Sequence, residues 1–247
     1  MFLTAASDAP VIEKVWNLVD WIVVQFDLPI NAVAVASILG AALCMAVSYL
    51  LGSISPAILI SRHVCGTDLR TVGRKTAGTY NMLLSFGTKM AVVSALCEFF
   101  IGYVAVWFGR FVWEANGAGL ALFFVVFGNM FPAFYRLSGG KGIVTMIGAA
   151  AALHPIVAFL LLFVFVLSVF ATKLVAFGSV AISLLYPLFI KAFANAGLQL
   201  AMAVFVTFFV LFAHRHNFRR VQESKEEKFY FSDYLKKKKA EGEDDDL

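Results

Sequence analysis

Polar side chains are sparse along the chain and separate long apolar runs. These runs occupy residues 32–61, 89–109, 117–135, 143–153, 156–171, 174–190 and 197–213. A helix rising about 1.5 Å per residue needs about 20 apolar residues to cross a hydrocarbon layer of roughly 30 Å. The run 143–153 falls short of that and stops at His154-Pro155. The pattern predicts an all-α, polytopic integral membrane helical bundle of about seven transmembrane helices, one of them short or re-entrant. The first run contains Gly52-Ser53-Ile54-Ser55-Pro56. Glycine and proline persist in lipid where neighbouring groups re-satisfy the freed backbone, so a kinked or broken helix packed inside the bundle is expected there.

Residues 11–27 carry Glu13, Lys14, Asn17 and Asp20 among apolar positions at mixed helical spacing, which predicts an amphipathic or interfacial helix. The N-terminus has neither a cationic start nor a small-residue cleavage site, so a cleaved signal peptide is not expected. The domain plan is an extracytoplasmic N-terminal helix at 1–31, a transmembrane domain at 32–220 and a charged, disordered cytoplasmic tail at 221–247.

Composition agrees with the pattern. Of 247 residues, 61% are hydrophobic and 15% charged, with a mean hydropathy of +0.83. Soluble domains average about half and a quarter, so a soluble globule, a disordered chain and a disulfide-stapled domain are excluded. Cys44, Cys65 and Cys97 form no CxxC pair, so neither a zinc site nor a redox pair is suggested and no cofactor is expected.

Charge placement orients the bundle. Arg62, Arg70, Arg74, Lys75, Arg136, Lys141, Lys173 and the tail fall on one side of the seven runs. Arg110, Glu114, His154 and Lys191 fall on the other. The bias of Lys and Arg toward the cytoplasm puts the first set and the C-terminus inside and the N-terminus outside, in a cell membrane. The basics at 215–220 sit where an anionic headgroup surface lies. The later Lys236–Lys239 run and the acidic end read as a solvated tail. Acids cancel this basic stretch, so nucleic acid is not an expected partner. Oligomeric state is not readable from these features.

Three polar segments on the cytoplasmic side hold the candidate chemistry. Ser138-Gly139-Gly140-Lys141-Gly142 offers glycine amides and a cation at the start of a short helix, a pattern suited to an anion. It lacks Walker A spacing, and a re-entrant turn with an inside-positive lysine stays open as the plainer reading. Residues 71–81 bring Arg74, Lys75, Thr76, Thr79 and Asn81 together, an inventory suited to a polyol phosphate but also to a plain positive-inside loop. His214 and Asn217 open the tail. His214 and His216 are two apart and point in different directions on a helix, which disfavours a metal site.

At these segments the chain resembles the bacterial integral-membrane acyl-phosphate:glycerol-3-phosphate acyltransferases, the PlsY type. The resemblance runs from about Tyr49 to Arg220. It rests on Tyr49-Leu50-Leu51-Gly52-Ser53-Ile54, Gly66-Thr67-Asp68-Leu69-Arg70-Thr71-Val72-Gly73, Ala77-Gly78-Thr79 with Asn81, Phe127-Gly128-Asn129-Met130-Phe131-Pro132, Gly139-Gly140-Lys141-Gly142 and His214-Arg215-His216-Asn217. It implies a seven-span fold whose active site lies at the cytoplasmic face, and a reaction between acyl phosphate and glycerol 3-phosphate that yields lysophosphatidic acid. It further implies that the glycine loop, with Ser138, Gly139, Gly140 and Gly142, receives the acyl phosphate. Lys141, His214 and Asn217 are then the catalytic set, with Arg74 or Lys75 on glycerol 3-phosphate. The chain departs from the family pattern at four places. A family Ser falls on Arg74, a family Arg on Leu84, a family His on Asn129 and a further Ser on Ala176. The departures at Arg74 and Leu84 keep a second reading open, a member of the same fold acting as a membrane binding or regulatory protein. A small-solute transporter is disfavoured by the lack of an internal repeat.

Overall fold

The computed structural model describes residues 17–193 and 197–223. Residues 1–16 of the expected N-terminal domain and 224–247 of the tail, including Lys236–Lys239, lie outside the described residues. Among the described residues the chain is helical with no strand: α1 (Leu18–Gln25), α2 (Ile30–Gly52), α3 (Pro56–His63), α4 (Thr79–Met130), α5 (Ile143–Leu153), α6 (Pro155–Thr172), α7 (Val175–Phe193), α8 (Gly197–Ala213) and α9 (Arg215–Gln222). Single 3-10 turns at Leu69–Thr71 and Ala133–Tyr135 interrupt the two loops that matter most below.

The expected break in the first run is present. α2 ends at Gly52, Ser55 takes a left-handed backbone (φ 45°), and Pro56 opens α3. α4 is not one rod. Gly87 (φ 80°) separates a first segment, 79–86, from an arm at 88–112, and Trp113 and Glu114 reverse the chain into an arm at 115–130. The two arms pack backbone to backbone where Gly109 faces Gly117. Four helices have the length and apolarity to cross a membrane, five when α8 and α9, bent by 51°, count as one span. The hairpin in α4 adds one more arm, and the 11-residue α5 is the short apolar element. The protein is a multi-pass integral membrane bundle.

The structure shortens one expected loop. The stretch 62–88 reads as polar in sequence, yet α3 continues through His63 and residues 79–86 are helical. Thr79, Tyr80, Asn81 and Ser85 lie on helical backbone, and the turn at Leu69–Thr71 divides what remains.

Packing follows the logic of lipid rather than water. Many large apolar side chains point outward, with Phe159, Phe170 and Ile38 each about two-thirds exposed, while inside, Ala, Gly and Ser at the closest contacts stand beside Leu122, Met146, Ile182 and Tyr186. α2 and the 115–130 arm cross so closely that a Cβ on Gly52 would strike the Val125 carbonyl and one on Gly128 the Tyr49 carbonyl. The crossing is fastened at its end. Tyr49 donates its hydroxyl to the Phe131 carbonyl (3.0 Å), and Ser53 Oγ donates to the Tyr49 carbonyl (2.8 Å) and accepts from the Ala133 amide (3.2 Å). The loop leaving α4 is therefore held against α2 before it reaches the glycines.

Candidate active site

The segment after α3 is held by internal bonds and by Leu69, which is buried against Ala57 and Met82. Asn81, on the first turn of α4 and 1% exposed, organises it. Its Nδ2 donates to the carbonyls of Leu69 (2.9 Å), Val72 (3.1 Å) and Thr76 (3.0 Å), and its Oδ1 accepts from the Arg74 amide (2.8 Å). Its amide group is thus engaged by backbone, and Asn81 shapes the loop instead of reaching a ligand. Gly73 has φ 52°, and a Cβ there would lie 2.6 Å from Ser85 Oγ.

Arg70 joins this loop to the next one. Asp68 caps the turn at Leu69–Thr71 and accepts from Arg70 Nε (3.1 Å) and Nη2 (2.9 Å) and from Arg62 Nη2 (2.6 Å). The other face of the Arg70 guanidinium donates through Nη1 to the Tyr135 carbonyl (2.9 Å) and the Ser138 carbonyl (3.4 Å). The Arg70 guanidinium, helped by Arg62 and opposed by partial burial, holds the Asp68 carboxyl well below the usual carboxylate range. Asp68 in turn pushes Arg70 upward. This clamp positions the stretch leading into Gly139. In sequence Arg70 registers only as one more inside-positive cation and one letter of a family motif, because its acceptors lie 65 and 68 residues away.

The glycine loop departs from expectation. The Gly139 amide donates to the Met130 carbonyl (3.2 Å) and the Gly140 amide to the Asn129 carbonyl (3.1 Å), so neither is turned toward an anion. Their lack of a side chain serves close approach. A Cβ on Gly139 would lie 2.5 Å from Pro132 Cδ, and one on Gly140 2.6 Å from the Ala77 carbonyl oxygen. The donors left for an anion are those of the α5 first turn. Gly142 sits before it in left-handed backbone (φ 72°) with no side-chain cap, and the first amides of a helix have no partner within it.

Lys141 is the point of convergence. Its Nζ donates to Asn217 Oδ1, a contact across 76 residues of sequence. Asn217 and His214 are buried in the turn where α8 bends into α9, and the Asn217 amide donates to the His214 carbonyl (2.9 Å). His214 Nδ1 lies 2.8 Å from the Val210 carbonyl. A carbonyl only accepts, so Nδ1 carries a proton in this contact. Three polar segments distant in sequence thus meet. The loop ending at Ala77 touches Gly140, and the residue after Gly140 reaches Asn217.

Other candidates are placed less directly. The Arg74 guanidinium lies 5.1 Å from the centre of the Tyr80 ring. Lys75 is exposed on a left-handed turn (φ 55°), its amide donating to the Val72 carbonyl (3.0 Å). Thr76 lends its carbonyl to Asn81, and Ser138 is exposed with its carbonyl on Arg70. The Thr79 hydroxyl is buried near the carboxyl of Glu98, which Ser94 approaches at 3.5 Å, so Thr79 turns toward the bundle interior. Leu84, where the family pattern has Arg, is 40% exposed, and Asn129 is buried with its carbonyl on Gly140.

Comparison with known proteins gives a consistent result. The family model described as glycerol-3-phosphate acyltransferase matches residues 42–224. A protein of that name from Clostridioides difficile is 35% identical over 188 residues, covering 74% of this chain and 92% of the relative. One from Finegoldia magna is 33% identical over 186 residues, covering 74% and 92%. The crystal structure of PlsY, an integral membrane glycerol 3-phosphate acyltransferase in its glycerol 3-phosphate form, superposes with a TM-score of 0.75 at 26% identity. The match covers 79% of this chain and 98% of that one. A fold that gathers Lys141, His214 and Asn217 at the end of a helical bundle and a family match spanning all three lead to one conclusion: the chain belongs to the glycerol-3-phosphate acyltransferase family.

Proposed function

We propose that the protein transfers a fatty acyl group from acyl phosphate to glycerol 3-phosphate, giving lysophosphatidic acid for phospholipid biosynthesis. The observation that carries this reading is the Lys141–Asn217 contact, which joins the glycine loop to the His214 turn in a member of this family. In the reaction a glycerol hydroxyl oxygen attacks the acyl carbonyl, the carbon–oxygen bond to phosphate breaks, and phosphate departs with the hydroxyl proton. An acyl phosphate is a mixed anhydride with a good leaving group, so positioning two anions supplies most of what is needed, up to roughly 7–11 kcal/mol. Lys141 neutralises phosphate charge, and the uncapped amides opening α5 add to it. His214 Nε2 accepts the attacking hydroxyl's hydrogen bond, and Asn217 holds the Lys141 ammonium in place. Arg74 and Lys75, on the neighbouring loop, attract glycerol 3-phosphate. Positive-inside bias supports a cell-membrane orientation with the N-terminus outside and this site cytoplasmic.

The test is direct. Purified protein in neutral detergent, supplied with acyl phosphate and labelled glycerol 3-phosphate, forms labelled lysophosphatidic acid. Lys141→Ala lowers kcat/KM by about 100-fold or more while the protein elutes and melts as before. Leu84, exposed where the family has Arg, favours one alternative, a binding or regulatory member of the fold. Wild-type protein that binds glycerol 3-phosphate but makes no product establishes that alternative and removes the catalytic reading.

A further inference from the structure

The end of the bundle that carries Lys141 also carries a hollow of about 390 Å³, lined by Arg62, Arg70, Phe134, Tyr135 and Arg136. It is a charged space with incomplete compensation. Arg62 and Arg70 share one carboxylate, Asp68, and both guanidinium groups face the Tyr135 ring, at 5.7 and 5.9 Å. Arg70 is turned inward, onto Asp68 and the carbonyls of Tyr135 and Ser138. Arg62 directs Nε and Nη2 to a single Asp68 oxygen, which leaves its Nη1 for another acceptor. Arg136 has no hydrogen bond or ion pair among the described residues. Three guanidinium groups against one carboxylate leave a surplus of two positive charges.

The backbone and the rim add independent information. Arg136 and Leu137 are consecutive non-glycine residues in left-handed conformation, with φ 56° and 55°. Such backbone carries a cost, and surrounding structure has to maintain it. Phe134, which lines the hollow, is 61% exposed, and Leu137 and Val64, next in sequence to Arg136 and His63, are 59% and 64% exposed. The hollow lies where α3 and the last arm of α4 run out. Exposed apolar side chains around unbalanced guanidinium groups at the ends of spans match a membrane surface, with acyl layer beside the rim and phosphate beside the cations.

We propose that the Arg62–Arg136 hollow binds the phosphate of an anionic phospholipid headgroup, at a site separate from the Lys141 centre. The shared chemistry of the candidates is a phosphate oxyanion; the apolar rim favours a lipid over a free ion. The proposal does not require that the protein be an active transferase.

The experiment uses full-length protein in neutral detergent, titrated with phosphatidylglycerol, with phosphatidylcholine and with inorganic phosphate, and reads bound ligand by native mass spectrometry. Wild-type protein is expected to hold phosphatidylglycerol in preference to phosphatidylcholine. Arg136→Gln weakens the phosphatidylglycerol complex by about fivefold, and Arg62→Gln with Arg136→Gln weakens it by about fivefold again. Arg136→Gln leaves transferase activity in neutral detergent unchanged, which separates this site from the reacting centre. Should Arg62→Gln unfold the loop by releasing Asp68, Arg136→Gln alone decides the matter, since its side chain anchors nothing. Equal binding of the two lipids, or phosphatidylglycerol binding indifferent to Arg136→Gln, overturns the proposal. Phosphate binding that depends on Arg136 without any lipid preference also overturns it, and assigns the hollow to a soluble anion.

Discussion

Asp68 accepts from two guanidinium groups and from the Arg70 amide, and Arg70 carries that anchorage on to the carbonyls of Tyr135 and Ser138. A carboxyl held below its unfolded value stabilises the fold above about pH 4 and loses that contribution as pH falls through its folded value. Thermal unfolding in detergent is therefore expected to be insensitive to this group from pH 7 to 5 and to weaken on the acid side of pH 4. Asp68→Asn removes that acid-side dependence and lowers the melting temperature at pH 7. Arg70→Gln acts on the same clamp, with a loss of about 1.5–3 kcal/mol expected for its charged hydrogen bonds. It lowers kcat by loosening the chain before Lys141, and Arg70→Lys restores only part of it, since an ammonium lacks the planar fork. An unchanged kcat in Arg70→Gln protein that still folds removes the positioning role. Lys141, His214 and Asn217 stand out in the sequence because their chemistry is rare in an apolar chain. The work of Arg70 and Asn81 is not, because backbone carbonyls are their partners and every residue has one.

At the scale of helices, small residues decide how closely segments approach. Gly52 and Gly128 let α2 and the last arm of α4 touch through their backbones, and Tyr49 and Ser53 fasten the same crossing. Gly128→Leu is expected to destabilise the protein by about 1–3 kcal/mol or more, through overpacking against backbone that has no rotamer to change. Its measure is the melting temperature in detergent. Activity should fall with it, because the crossing holds the chain that leads to Gly139. The glycine loop teaches the same lesson in reverse. Glycine beside lysine reads as an anion cradle, yet Gly139 and Gly140 direct their amides to α4 carbonyls and use their bareness to pass Pro132 and Ala77. Composition reveals that a side chain is missing; the neighbours determine whether that frees an amide or admits another backbone.

For the whole molecule, the positions of the breaks matter as much as the spans. Trp113 and Glu114 fold α4 into two arms, which places the turn at the opposite end from Cys65 and the Lys141 centre. A membrane-impermeant thiol reagent applied to intact cells is expected to label Glu114→Cys and to spare Cys65, with Cys44 buried. Labelling of Cys65 with protection at position 114 inverts the orientation. The sequence alone determined that this is a helical membrane protein, which of its ends is basic and which few residues are chemically able to act, because those properties sum over residues and survive without coordinates. Tertiary structure decided that Lys141 rests on Asn217, that Arg70 ties two loops together and that the glycine amides face inward. Those are contacts between segments up to 76 residues apart, and only closure of the bundle brings their ends within hydrogen-bonding distance.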